Sequence, residues 1–210
     1  MLPSKIVFIG GMHRSGTSWL AGELRARGLD LGGDCNWSGP DNEKGYFEDF
    51  RMMEFNDRIL EACGGTWWSP PPASSIECMR LDRETNKFTL DVLIGDKGGP
   101  VIGVKDPRIS LTYPVLREAV ESLPSVLLAT RRDRDSVIAS MSKAKGLSAE
   151  TCGALYDDYM ARLEEYGAEV VDFPSRDGLD RAARLCDLGE ADAGWFDPRL
   201  IHFNSNHLVG

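Results

Sequence analysis

The sequence predicts an α/β fold of three layers, with a central parallel β-sheet flanked by helices. Three observations predict it. Short apolar runs alternate with segments whose apolar residues recur at helical spacing. The runs are continuously apolar, as strands covered on both faces are. Clusters of glycine and charge follow the runs directly, and ligands on such sheets bind beyond the carboxyl ends of the strands.

The elements follow in order. Lys5–Ile9 is a β-branched run entering a turn at Gly10-Gly11, so it reads as a buried strand. A helix is expected next, with Ser15 or Thr17 near its start, Trp19, Leu20 and Leu24 inward, and Gly28 at its end. Leu31–Gly45 is rich in Gly, Asn, Asp and Pro and is expected to be a loop. Met52, Phe55, Ile59 and Cys63 fall at helical spacing, and Gly64–Ser75 is expected to be irregular. A helix over Arg80–Ile94 leads to a strand at Pro100–Val104; a helix over Tyr113–Ser122 leads to a strand at Val126–Thr130. Another helix begins at Asp133–Asp135, and a further one carries Leu155, Tyr159, Leu163 and Tyr166. A fourth strand at Glu169–Phe173, a short helix over Leu179–Leu188 and an irregular C-terminus complete the pattern.

Composition sets the outer bounds. The 210 residues are 42% hydrophobic and 27% charged, enough for one well-packed domain over residues 1–210 and unlike a disordered chain. The net charge of −9 disfavours nucleic acid as a partner, because phosphate contact needs a basic surface. No apolar run is long enough to cross a bilayer, and no basic segment followed by an apolar one opens the sequence. Five widely spaced cysteines without a C-x-x-C pair fit free thiols in a reducing cytoplasm. The three histidines form no metal-ligand spacing with them, so no metal is expected.

Chemistry is concentrated after three strands: Gly11–Ser18, Lys105–Arg108 and Arg131–Asp135. Gly11-Met12-His13-Arg14-Ser15-Gly16-Thr17-Ser18 has the glycine spacing of a phosphate-binding loop, which makes the fold class the P-loop nucleotide-binding type. The triphosphatase version carries lysine where Thr17 stands here, and that lysine reaches the β- and γ-phosphates. Its absence argues against a Mg-triphosphate ligand and against a small-molecule kinase. The basic residue is Arg14, inside the loop.

His13-Arg14-Ser15-Gly16-Thr17-Ser18-Trp19 resembles the 5′-phosphosulfate loop of sulfotransferases that use 3′-phosphoadenosine 5′-phosphosulfate (PAPS) and release the 3′,5′-bisphosphate, PAP. Gly45-Tyr46-Phe47-Glu48-Asp49, Asn56–Leu60 and Lys105-Asp106-Pro107-Arg108 resemble segments of short bacterial members. Arg131–Ser140 resembles the family's 3′-phosphate motif. The likeness spans residues 5–145, with a weaker echo over 169–189. The late glycine-and-lysine segment of the cytosolic branch is missing; Arg199 is the nearest late basic residue.

The resemblance implies transfer of a sulfuryl group to an acceptor hydroxyl or amine. His13, Arg14, Ser15, Gly16, Thr17, Ser18 and Trp19 would hold the 5′ end of the nucleotide, and Arg132 with Ser140 its 3′-phosphate. Arg14 would act electrostatically, since guanidinium keeps its proton. Glu48 is the favoured base, ahead of Asp106; Lys105 stands beside the latter, and His13 lies in the loop itself. Trp67-Trp68 would wall the acceptor site, unless they are simply core. A nucleotide-binding protein without catalysis is the reading of another class. The sequence leaves open which small molecule or carbohydrate is the acceptor, and whether the chain forms a homo-oligomer.

Overall fold

A computed structural model describes residues 2–33, 35 and 45–190. Four strands form the sheet: β1 (Lys5–Gly10), β2 (Val101–Lys105), β3 (Ser125–Arg131) and β4 (Glu169–Asp172). Their order is β2-β1-β3-β4, and each neighbouring pair is parallel. The expected central parallel sheet flanked by helices is what the chain forms.

Alternate residues of β1 point to opposite layers. Ile6 and Phe8 join one apolar cluster with α2 (Phe50–Ala62), α4 (Arg83–Ile94), α5 (Ile109–Ala119) and α7 (Ala149–Glu165). Val7 and Ile9 join the other, with α1 (Thr17–Arg25) and α8 (Arg176–Leu185). All four side chains are fully buried. At about 1.5–3 kcal/mol for each large apolar side chain, this two-sided burial is the main force fixing β1 at the centre.

Some boundaries differ from expectation. Ala73–Glu77 is a short helix, α3, that begins inside the stretch expected to be irregular and runs past its end at Ser75; Pro72 leads directly into its first turn. α4 begins at Arg83 rather than Arg80 because Asp82 caps it, accepting from the Thr85 N–H. α5 begins a turn early, at Ile109, and carries Pro114 in its interior, where the ring forgoes one helical hydrogen bond. α8 starts at Arg176 under a Ser175 cap and ends at Leu185. The expected C-terminal segment with Arg199, and most of the expected Leu31–Gly45 loop, lie outside the described residues. No helix among the described residues is long and apolar enough to cross a membrane.

The topology positions the site. After β1 the chain moves to β2 on one side, and after β3 it moves to β4 on the other. Between β1 and β3 the connections part, which leaves a crevice beyond the carboxyl ends of both strands.

Candidate functional site

A cleft of about 510 Å³ opens at that crevice. This lies within the range of small-molecule sites, about 300–1,000 Å³. Its floor is the loop after β1. Gly11 has φ 138° there, and a Cβ would lie 2.6 Å from Thr130 Oγ1 and 2.8 Å from Ser15 Oγ. Gly16 has φ 103°, and a Cβ would lie 2.6 Å from the Phe173 ring. Both positions therefore demand glycine, for conformation and for space. The Gly11 N–H donates to Ser110 Oγ at 2.8 Å, tying the loop to α5.

The start of α1 differs from five other helix starts and shares with α3 and α5 the lack of a side-chain cap. Side chains cap α2, α4, α7, α8 and α6 (Arg134–Lys145), through Asp49, Asp82, Ser148, Ser175 and Asp133. The N-cap of α1 is Gly16, left-handed, with no side-chain cap. Its first N–H groups and the positive end of the helix are thus available to an anion.

The structure brings His13, Arg14, Gly16, Thr17, Ser18, Trp19, Glu48, Lys105 and Arg132 together as lining of this one cleft. Three expected residues stand back from it. Ser15 is fully buried and its hydroxyl shares a 2.7 Å hydrogen bond with that of Thr130, clipping the loop to β3. Ser140, on α6, accepts from Arg14 Nε at 3.0 Å, so it holds the loop arginine. Asp106 is fully buried; it accepts from Asn56 Nδ2 at 2.9 Å, from the Arg108 N–H at 2.9 Å and from Arg108 Nη1 at 3.1 Å. Its carboxylate joins α2 to the end of β2.

Lys105 and Glu48 form a buried ion pair. Lys105 Nζ also donates to the Tyr46 carbonyl at 2.9 Å and to Ser18 Oγ at 3.2 Å. Burial raises the pKa of Glu48, against the opposing pull of Lys105. His13 packs on Trp67, ring centres 4.6 Å apart, and its pKa is held well below the usual range. Burial is the main cause, followed by the charges of Arg108, Lys105, Lys145 and Arg14, so the imidazole is neutral.

Arg132 lies over the Phe173 ring, 5.4 Å from its centre. Burial lowers its pKa first and the nearby Arg14 second, though far too little to discharge a guanidinium. Trp67 lines the cleft, whereas Trp68 and Pro70–Pro72 line a separate groove against α7. Sequence reasoning missed Phe173 and Lys145 as lining residues, and reached Arg108 only as part of the Lys105–Arg108 cluster. Phe173 directly follows β4, the same relation to its strand that the other three clusters have, and that signal could have found it. Nothing in the sequence singles out Lys145, at the end of α6 with its Nζ 5.9 Å from the centre of the Trp67 ring.

No known family's sequence profile matches the chain, and no curated protein matches it either. Among solved structures, a sulfotransferase domain from the curacin biosynthetic pathway is similar, with a TM-score of 0.46 and 15% identity over 100% of this chain and 81% of that one. So slight a likeness carries no argument about the site, which stands on its own residues.

Proposed function

We propose that the protein is a sulfotransferase that moves a sulfuryl group from PAPS to an acceptor hydroxyl. One observation carries this reading: an uncapped helix start with Arg14 beside it, and a second cation, Arg132, at the neighbouring strand end in the same cleft. Two separated anion positions suit a nucleotide with phosphate at both its 5′ and 3′ ends. Thr17 in place of the P-loop lysine fits a ligand without β- and γ-phosphates.

The N–H groups at the start of α1, with the Thr17 and Ser18 hydroxyls, would hold the 5′-phosphosulfate. Arg132 would bind the 3′-phosphate, and Trp19 and Phe173 offer aromatic surface to the purine. When bound, PAPS supplies an activated sulfuryl group whose bond to the 5′-phosphate breaks as the acceptor oxygen bonds to sulfur. Arg14, anchored by Ser140, stabilises the charge gathering on the departing oxygen. Glu48 takes the acceptor's proton, for which its raised pKa suits it. Lys105 holds that carboxylate in place.

Thermal unfolding with and without ligand tests the reading. PAP at micromolar concentration, without magnesium, should raise the melting temperature. No shift with PAP beside a clear shift with Mg-ATP would replace it with a kinase. A PAP shift without transfer of labelled sulfate to any alcohol or amine would leave a nucleotide-binding protein.

A further inference from the structure

The order β2-β1-β3-β4 puts Arg132 on one flank of the phosphate loop and Arg108 on the other. Arg108 is only 8% exposed yet lines the cleft. Its Nε donates to Asp57 Oδ1 at 2.6 Å and its Nη1 to Asp106 Oδ1 at 3.1 Å. Its Nη2 has no protein partner among the described residues. A guanidinium serving only to tie α2 to the end of β2 has no need of a place in the cleft wall; this one keeps a donor for it.

The mounting is stiff. Asp106 is gripped by Asn56, whose Oδ1 in turn accepts from Thr112 Oγ1 at 2.7 Å, and all three residues are fully buried. A donor fixed this way loses little entropy on binding and so discriminates well. Charge decides what it takes. Asp57 and Asp106 already offset the single charge of Arg108, as Lys105 offsets that of Glu48. Arg108 therefore offers a hydrogen bond rather than an unpaired charge, and an uncharged oxygen suffices to accept it.

We propose, building on the sulfotransferase reading, that Arg108 Nη2 binds the acceptor, and that the acceptor carries a second, uncharged oxygen beside the hydroxyl that reacts, as polyols and sugars do. Trp67 would give such a molecule a flat apolar surface close by.

Transfer from labelled PAPS to three matched probes tests this: trans-1,2-cyclohexanediol, cyclohexanol and trans-2-hydroxycyclohexanecarboxylate. The diol should exceed cyclohexanol by about 10-fold in kcat/KM, the scale of one hydrogen bond to a charged donor, and the acid should gain nothing over cyclohexanol. Arg108→Lys keeps a charge between the two carboxylates but removes Nη2. It should bring the diol down to the level of cyclohexanol while the PAP-induced thermal shift persists. A protein that PAP does not stabilise overturns the sulfotransferase reading, and this one with it. PAP binding with equal transfer to diol and alcohol overturns the Arg108 assignment alone, as does a preference for the acid, and PAP binding without transfer to any alcohol or amine overturns both readings. Should Arg108→Lys fail to fold, the wild-type comparison of the three probes decides.

Discussion

On the β3 side of the cleft, Arg132 rests on an aromatic ring and makes no ion pair among the described residues, while Arg14 is held by the Ser140 hydroxyl. On the β2 side, Lys105 is paired with Glu48, and Arg108 with Asp57 and Asp106. Arg132 thereby keeps its positive charge toward the cleft. The second arrangement spends its charge inside the protein, where it fixes geometry. The difference teaches that one cleft can partner its cations in two ways; under the proposed function, the β3 side would bind the doubly phosphorylated donor and the β2 side would orient and deprotonate the acceptor.

The largest expected effect on turnover breaks the β2 side. Glu48→Gln should cut transfer by about 100-fold or more, the scale of removing a general base, with PAP affinity nearly intact. Near-normal turnover would move the role away from Glu48. The largest expected effect on stability is that of Asp106→Asn, which leaves Arg108 and Asn56 poorly matched in a buried network. It should cost about 3–5 kcal/mol in denaturant unfolding, the range for breaking a buried charged pair. A stable Asp106→Asn protein with lost turnover would instead make Asp106 the base.

On the β3 side, Arg132→Ala should weaken PAP by about 10-fold or more, through loss of a charge-assisted contact. Adenosine 5′-phosphosulfate, which lacks the 3′-phosphate, should lose far less. Equal losses in titrations of the two ligands would contradict the assignment. Gly16→Ala, which drives a Cβ into Phe173 from a left-handed backbone, should cost about 1–3 kcal/mol, visible as a lower melting temperature and weaker PAP binding.

The smallest expected effect is in pH. Glu48 must be ionised to accept a proton, and its pKa is raised from an ordinary 4.5. Turnover should therefore fall as pH drops through a value above the usual carboxylate range, and the residual activity of Glu48→Gln should lack that limb. An acid limb shared by both proteins would place the titrating group elsewhere.

Much of the framework was legible in the sequence because it depends on local pattern. β1 and the phosphate loop follow from a buried apolar run, two glycines and a helix start within fifteen residues or so. The strand-end rule then placed Arg132 and Lys105 near that loop without any coordinates. The roles of Ser140, Asp106 and Arg108 were not legible. Ser140, on α6, follows Arg132 closely in the chain, yet its hydroxyl meets Arg14; Asp106 adjoins a lining lysine, yet its carboxylate turns inward to Asn56. Such choices depend on side chains delivered by α2 and the loop, remote in the chain.

By itself, then, the sequence determined the parallel sheet flanked by helices and the glycine-rich loop beyond the carboxyl end of its central strand, because apolar burial and glycine conformation act over short stretches of chain. Only the tertiary structure decided how the cations divide. Whether a lysine or arginine is spent on a carboxylate or kept for a ligand depends on which acids arrive within about 3 Å of it, and packing between distant elements sets that.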